Sequence, residues 1–390
     1  MTPETMTPVE MIRALVSFDT TSVKSNLPLI DFIRDYLSGY GIDSRYVLSE
    51  DGTKANLWAT VGPDGPGGVV ISGHTDVVPV DGQPWDSDPF KIVEKDDRLY
   101  GRGTADMKSY IAISLSLVPE MLSRPLQRPI HFALTHDEEV GCVGAPRLIK
   151  DVVENLPRPG AVIIGEPTEM QVVDAHKGIN SFMTTVTGHE AHSSLTHHGV
   201  NAVMTAGRLI AFLGDLAEEK AANPERNSRF NPPYSTIHVG TVEGGTALNI
   251  VSRLCEFKWE IRALPGDDPA ETVARLNEFC ERELLPAMRK VAPETEIETV
   301  SKLTVPALSP DPGSPAEQLA FALTGTNATH AVSYATEGGQ FQEAGLPAVV
   351  CGPGSIEQAH KPNEFISLQQ VAAGDQFARR LIARCQDMEV

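Results

Sequence analysis

Four short runs in this sequence are apolar without alternation: Val69 to Ser72, Ile130 to Thr135, Ala161 to Gly165 and Ala348 to Cys351. A strand with one solvated face alternates with a period of two, so runs that do not alternate belong to strands covered on both faces. Helices supply that cover, which makes the expected fold an α/β domain around a mainly parallel sheet. Leu29, Ile33, Tyr36 and Leu37 follow helical spacing, and Gly41 is placed to close that helix in a left-handed cap.

From Ile179 to about Leu303 the pattern changes. Strands are expected over Ser181 to Gly188, Ser235 to Val242 and Ala247 to Ala263, with one helix presenting Val200, Val203, Met204 and Ile210 and a second starting at Pro269. Cys255, Phe257, Trp259 and Ile261 alternate with polar residues, the mark of an antiparallel sheet with one face in water. This stretch reads as an inserted α+β domain of ferredoxin-like order. The α/β pattern resumes with a helix over Ala316 to Leu323 and the last apolar run. The expected division is therefore residues 1–178 and 304–390 as one domain, with residues 179–303 inserted. A chain of 390 residues is long enough for two cores.

Composition excludes some partners. With 32 basic and 52 acidic residues the formal charge is −20. Nucleic acid and anionic lipid surfaces are repelled by such a chain. Five cysteines, scattered and without a C-x-x-C pair, fit neither a disulfide framework nor a thiolate metal site and read as buried thiols in a reducing compartment. The first residues lack the charged-then-apolar pattern of a secretion signal, and no run approaches the ~20 apolar residues of a membrane span, so the expected location is the cytoplasm.

The acids and imidazoles fall in a pattern of their own. His74 and Asp76 follow the first apolar run, Asp106 follows the glycine-rich Gly101-Arg102-Gly103-Thr104-Ala105 and opens a helical run from Met107 to Met121, Glu138 and Glu139 follow the second run, Glu166 the third, and His360 the fourth. Ligands of open α/β sheets bind at the carboxyl ends of strands. Two imidazoles with several carboxylates and no thiolate suit zinc, cobalt or manganese, and one carboxylate can bridge two ions ~3.5 to 4 Å apart. Where the chain turns at a strand end, one of the adjacent glutamates can hold a metal while the other serves as general base.

The stretches SGHTDVVPVDGQPWDSDPF, GRGTADMKS, DEEVGCVG, GEPT and GPGSIEQAHKPNEF resemble the M20 family of dimeric two-zinc hydrolases, in the family's order and over nearly the whole chain. The resemblance implies that His74, Asp106 and Glu166 hold one metal and that Asp106, Glu139 and His360 hold the other, with Asp106 bridging. It implies that Asp76 orients His74 through a hydrogen bond and that Glu138 is the general base and acid. A cis peptide bond is implied between Asp106 and Met107. The inserted domain resembles the family's dimerisation lid. In Gly188-His189-Glu190-Ala191-His192, His192 matches the histidine that stabilises the tetrahedral oxyanion, although Ala191 stands where the family usually has glycine. Asn249 and Arg262 match positions that bind the substrate carboxylate.

Within the family, Ala175-His176-Lys177-Gly178, Thr336-Glu337-Gly338-Gly339 and the segment ending at His360 are most similar to the acetylornithine deacetylases. That likeness implies hydrolysis of N2-acetyl-L-ornithine to acetate and L-ornithine in arginine biosynthesis, by a homodimer carrying two zinc ions for which cobalt or manganese can substitute. Gly338-Gly339 departs from the Ala-Pro of some of those enzymes. Two alternatives stay open: another N-acyl-amino-acid amidohydrolase such as a succinyl-diaminopimelate desuccinylase, and a binding protein without catalysis.

Overall fold

The computed structural model describes residues 5–387. The chain forms two compact units, one made of residues up to Ala175, Leu308–Ala331 and those from Thr336 onward, the other of His176–Ala307 with Val332–Ala335.

The first unit is built on an eight-stranded sheet. Its order is Ser44–Leu48, Ala55–Val61, Ile130–Thr135, Val69–His74, Ala161–Pro167, Ala348–Gly352, Val172–His176 and Thr329–Val332. The four strands from Ile130–Thr135 to Ala348–Gly352 pair in parallel, and they are the four runs that do not alternate in the sequence. Every residue in them is buried. Antiparallel partners flank them on both sides. The sheet is thus mainly parallel at its centre, as expected of an α/β domain.

Helices cover the sheet. Leu27–Gly39 buries Leu29, Ile33, Tyr36 and Leu37, and Gly41 beyond its end has φ 76°, the left-handed geometry that glycine adopts without penalty. Lys108–Ser116 is buried at every position. The expected single run from Met107 to Met121 is divided into Lys108–Ser116 and Val118–Met121, because Pro119 lacks an amide hydrogen and its ring crowds the carbonyl one turn earlier. All five cysteines are buried free thiols. Among the described residues, no helix is long and apolar enough to cross a membrane.

The second unit is a four-stranded antiparallel sheet in the order Thr236–Gly244, Leu254–Ala263, Gly178–Thr187, Glu296–Val305. With the helices Ala202–Ala222 and Pro269–Phe279 this gives the chain order β-α-β-β-α-β of ferredoxin-like folds. Cys255, Phe257, Trp259 and Ile261 face a core shared with Leu209, Leu213 and Leu276. Three expectations need correction. The helix Ala202–Ala222 buries Ala202, Ala206, Leu209, Leu213 and Leu216, whereas Val200 precedes it and Val203 and Met204 of the expected face are exposed. The strand predicted from Ala247 begins at Leu254, since the chain turns at Ala247, whose carbonyl accepts from the Ile250 amide at 3.1 Å. The edge strand Glu296–Val305 was not anticipated, because it buries little and carries no apolar run.

Glycine matters most where elements meet near the strand ends. A Cβ on Gly165, one residue before Glu166, would lie 1.9 Å from Cδ1 of Tyr110. Gly165→Ala should lower stability by ~1 to 3 kcal/mol through overpacking. Gly214→Ala, in the open on Ala202–Ala222, should raise it by ~0.5 to 1 kcal/mol. Urea midpoints of the two variants should move in opposite directions.

Candidate metal centre

The parallel strands deliver their side chains to one end of the first unit. His74 is the last residue of Val69–His74, and Glu166 is the last but one of Ala161–Pro167. Both therefore lie within the strands rather than just past them. Glu138 and Glu139 stand in the turn after Ile130–Thr135, where the left-handed Asp137, φ 57°, swings the chain so that both glutamates reach the same centre. Asp106 precedes Lys108–Ser116, and its peptide bond to Met107 is cis. His360, at φ 64°, lies in the loop after Ala348–Gly352.

Asp106 sits between two imidazoles. Its Oδ1 is 2.9 Å from His74 Nε2, and its Oδ2 is 3.4 Å from His360 Nε2. Glu166 Oε1 lies 3.7 Å from His74 Nε2, and Glu139 Oε2 lies 2.9 Å from His360 Nε2. Two sets of donor atoms fall within 4.8 Å of one another: His74, Asp106 and Glu139, and His74, Glu138 and Glu166. The structure thus gathers all six of these sequence-derived residues. The His74, Asp106, Glu139 and Glu166 side chains are nearly closed to solvent, whereas that of His360 is 57% exposed and leaves the centre open on its side.

Crowding shows in the proton affinities. Burial, helped by the charges of Glu139, Asp106 and Glu337 against that of His74, pushes the Glu138 carboxyl up to about 8. Burial and the Asp106 charge also raise Glu166 and Glu139. Hydrogen bonds to Asp106 and Glu139 lift His360 to about 10. Burial disfavours the His74 cation, but the Asp106 hydrogen bond and the neighbouring carboxylates outweigh it and hold the ring well above its usual value. Four carboxylates in so little space need positive charge. Two divalent cations would neutralise them, and the donor set, oxygen and imidazole without thiolate, fits such ions.

Asp76 does meet His74 through a hydrogen bond, made by its main chain and not by its carboxylate. His74 Nδ1 pairs with the main-chain carbonyl of Asp76 at 2.9 Å, while the nearer carboxylate oxygen of Asp76 is 3.7 Å away. The carboxylate turns toward the glutamate pair instead. It accepts from the amides of Glu138 at 3.1 Å and Glu139 at 3.3 Å, and from Ser22 Oγ at 2.7 Å. Two amides arriving at the strand end out-compete one ring N–H that already has a carbonyl at hand.

Residues 70–384 match the model of peptidase family M20/M25/M40. The chain belongs to peptidase family M20/M25/M40. As a member of family M20/M25/M40 it is a metal-dependent hydrolase. It is similar to an acetylornithine deacetylase of Pasteurella multocida (strain Pm70), 33% identical over 96% of this chain and 97% of that one. An acetylornithine deacetylase of Myxococcus xanthus is 35% identical over 95% of each chain. An M20 family metallo-carboxypeptidase from Sulfolobus solfataricus has the same fold, with a TM-score of 0.74, 17% identity, and coverage of 97% of this chain and 99% of that chain.

Three sequence-derived residues of this M20 chain belong to the second unit. His192 is exposed, with Nδ1 2.8 Å from Ser194 Oγ, and its segment pairs with that of Asn249 through the Ser193 amide and the Asn249 carbonyl at 3.0 Å. Arg262 is half-buried and paired with Glu260 at 3.1 Å. Other residues near the metal centre lie within the same motifs. Cys142 Sγ donates to Glu138 Oε1 at 3.2 Å. Glu337 is buried beside Ser72, and Arg102 and Glu364 form a buried ion pair. Their only sequence signal is the presence of charged or polar residues in strings that read as turns.

Asp76→Ala should strand two amides beside the centre, at a cost of ~1 to 3 kcal/mol, and lower the hydrolysis rate. Ser22→Ala removes a single hydroxyl donor and should cost ~1 kcal/mol with little effect on rate. Urea unfolding and steady-state kinetics on the two variants check this ordering.

Proposed function

We propose that this chain hydrolyses the amide bond of an N-acylated amino acid, N2-acetyl-L-ornithine above others, giving acetate and L-ornithine for arginine biosynthesis. The observation that carries the reaction is the surplus carboxylate. Once His74, Asp106 and Glu166 are allotted to one cation and Asp106, Glu139 and His360 to the other, as the family resemblance implies, Glu138, whose donor atom lies within 4.8 Å of those of His74 and Glu166, is left over at the same centre. The choice of substrate is supported by the names of the Pasteurella and Myxococcus relatives. When bound, two cations supply Lewis acidity toward the scissile carbonyl and acidify water toward a pKa of ~7. Zinc is the proposed ion, with cobalt or manganese as substitutes.

The protein's own part is proton transfer and charge complementarity. Glu138 takes a proton from the attacking water as its oxygen bonds to the carbonyl carbon. It then gives that proton to the leaving nitrogen as the C–N bond breaks. The Cys142 thiol and the Asp76 carboxylate hold Glu138 from its side chain and its amide. His192 is proposed to stabilise the developing oxyanion, and Asn249 and Arg262 the substrate carboxylate, Arg262 being suited by its two-pronged donor. Residues 179–303 are proposed as a lid through which two chains form a homodimer. The buried, unpaired cysteines support a reducing compartment, and the cytoplasm is the proposed location.

Glu138→Ala should keep both cations and lose ~10² to 10⁴ in rate. Near-normal turnover with intact metal content would remove Glu138 from the mechanism. His192→Ala should lower kcat by ~10² to 10³ with a smaller change in KM, since an oxyanion contact exists only in the transition state. For the substrate, a panel of N-acetyl and N-succinyl amino acids assayed by amine release should give the highest kcat/KM with N2-acetyl-L-ornithine. A preference for the N-succinyl compounds would overturn that choice.

A further inference from the structure

Glu364 lies four residues after His360 and is fully buried, yet it belongs to neither set of metal-donor atoms. All the donors it accepts come from one loop. Its Oε2 accepts from Arg102 Nη1 at 2.7 Å and the Gly103 amide at 2.9 Å, and its Oε1 accepts from the Ala105 amide at 2.8 Å and the Asp106 amide at 3.1 Å. Its main-chain carbonyl accepts from the Gly101 amide at 2.9 Å. One carboxylate therefore fixes the backbone that carries Asp106.

The same ion pair reaches back to His360. Arg102 Nη2 donates to Gln83 Oε1 at 2.7 Å, and Gln83 Nε2 donates to the main-chain carbonyl of His360 at 2.9 Å. His360 at φ 64° and Asn363 at φ 56° hold left-handed geometry, uncommon for side-chain-bearing residues though less so for His and Asn. The chain of contacts is closed: Asp106 amide, Glu364, Arg102, Gln83, His360 carbonyl. It joins the two residues on either side of the 3.4 Å approach between Asp106 and His360. His74 takes no part in it.

We propose that Glu364, Arg102 and Gln83 are positioning residues that set the separation of Asp106 and His360, and that Gln83, which holds His360 and not Asp106, governs occupancy of the cation site on the His360 side while leaving the His74 side as it is. This rests on the two-cation reading above. A bland buried ion pair would stabilise the fold without favouring one site. Gln83 is the link that separates the two ideas, because it is part of a surface loop and its loss leaves the Arg102–Glu364 pair intact. Gln83→Glu keeps an acceptor for Arg102 but turns the donor to the His360 carbonyl into a charged acceptor, whereas Gln83→Ala removes the link without adding charge.

Calorimetric titration of metal-free protein with Co²⁺ tests the proposal, with the thermal midpoint followed alongside. Wild type should bind two equivalents. Gln83→Ala and Gln83→Glu should bind the first as wild type does and the second ~10- to 100-fold more weakly, at an unchanged midpoint. Glu364→Gln, if it folds, should weaken both equivalents, because the backbone that Glu364 holds carries Asp106, which serves both sites. Two equivalents bound by wild type and by both Gln83 variants with equal affinities would overturn the proposal and leave the two-cation reading standing, as would an equal weakening at both sites in the Gln83 variants. A single equivalent in wild type would overturn both.

Discussion

Four carboxylates and two imidazoles meet where parallel strands end, and the electrostatics of that meeting governs the rest of the structure. Asp106 shares its oxygens between His74 and His360, and Glu139 and Glu166 stand beyond them. Burial, and after it the negative groups packed at such density, raises the proton affinity of Glu138, Glu139 and Glu166. A centre of this kind is relieved by holding protons or by compensating positive charge. The two imidazoles supply part of it, and the donor set suits divalent ions for the remainder.

The fold carries the cost of bringing these groups together. A parallel sheet aims successive strand ends the same way, so residues far apart in the chain converge without long loops. Each arrival is then held from behind. Asp76 grips the amides of Glu138 and Glu139, Glu364 grips those of Ala105 and Asp106, and Gln83 ties down the carbonyl of His360. These contacts are made largely to backbone, which fixes the direction of each metal-facing side chain while leaving that side chain free for the ion.

Much of this was legible in the residues. The four apolar runs named the central strands because coverage on both faces removes alternation, and the alternation around Phe257 and Trp259 named the second sheet. Five residues of the centre stood out because each followed an apolar run, and Asp106 because it followed a glycine-rich turn into a helical run. What the sequence hid was the supporting layer. Arg102, Gln83 and Glu364 lie in polar turns, where charge is ordinarily solvated, and only the folded chain shows that Arg102 and Glu364 are buried as a pair. The role of the Asp76 carboxylate was hidden for a related reason: its partners are backbone amides, which carry no sequence signal. Pro119 and the exposed edge strand Glu296–Val305 were missed because one breaks a pattern locally and the other lacks an apolar run.

The central claim is that this cluster is a cation-dependent hydrolytic centre for an N-acylated amino acid. Amine release from N2-acetyl-L-ornithine, measured on protein stripped with a chelator and then back-titrated with zinc, tests it most directly. The account predicts negligible rate in the stripped protein and a return of activity that is complete at about two equivalents, the number that matches the four carboxylates. Full turnover in the stripped protein, or no amine release at any zinc loading, would contradict it.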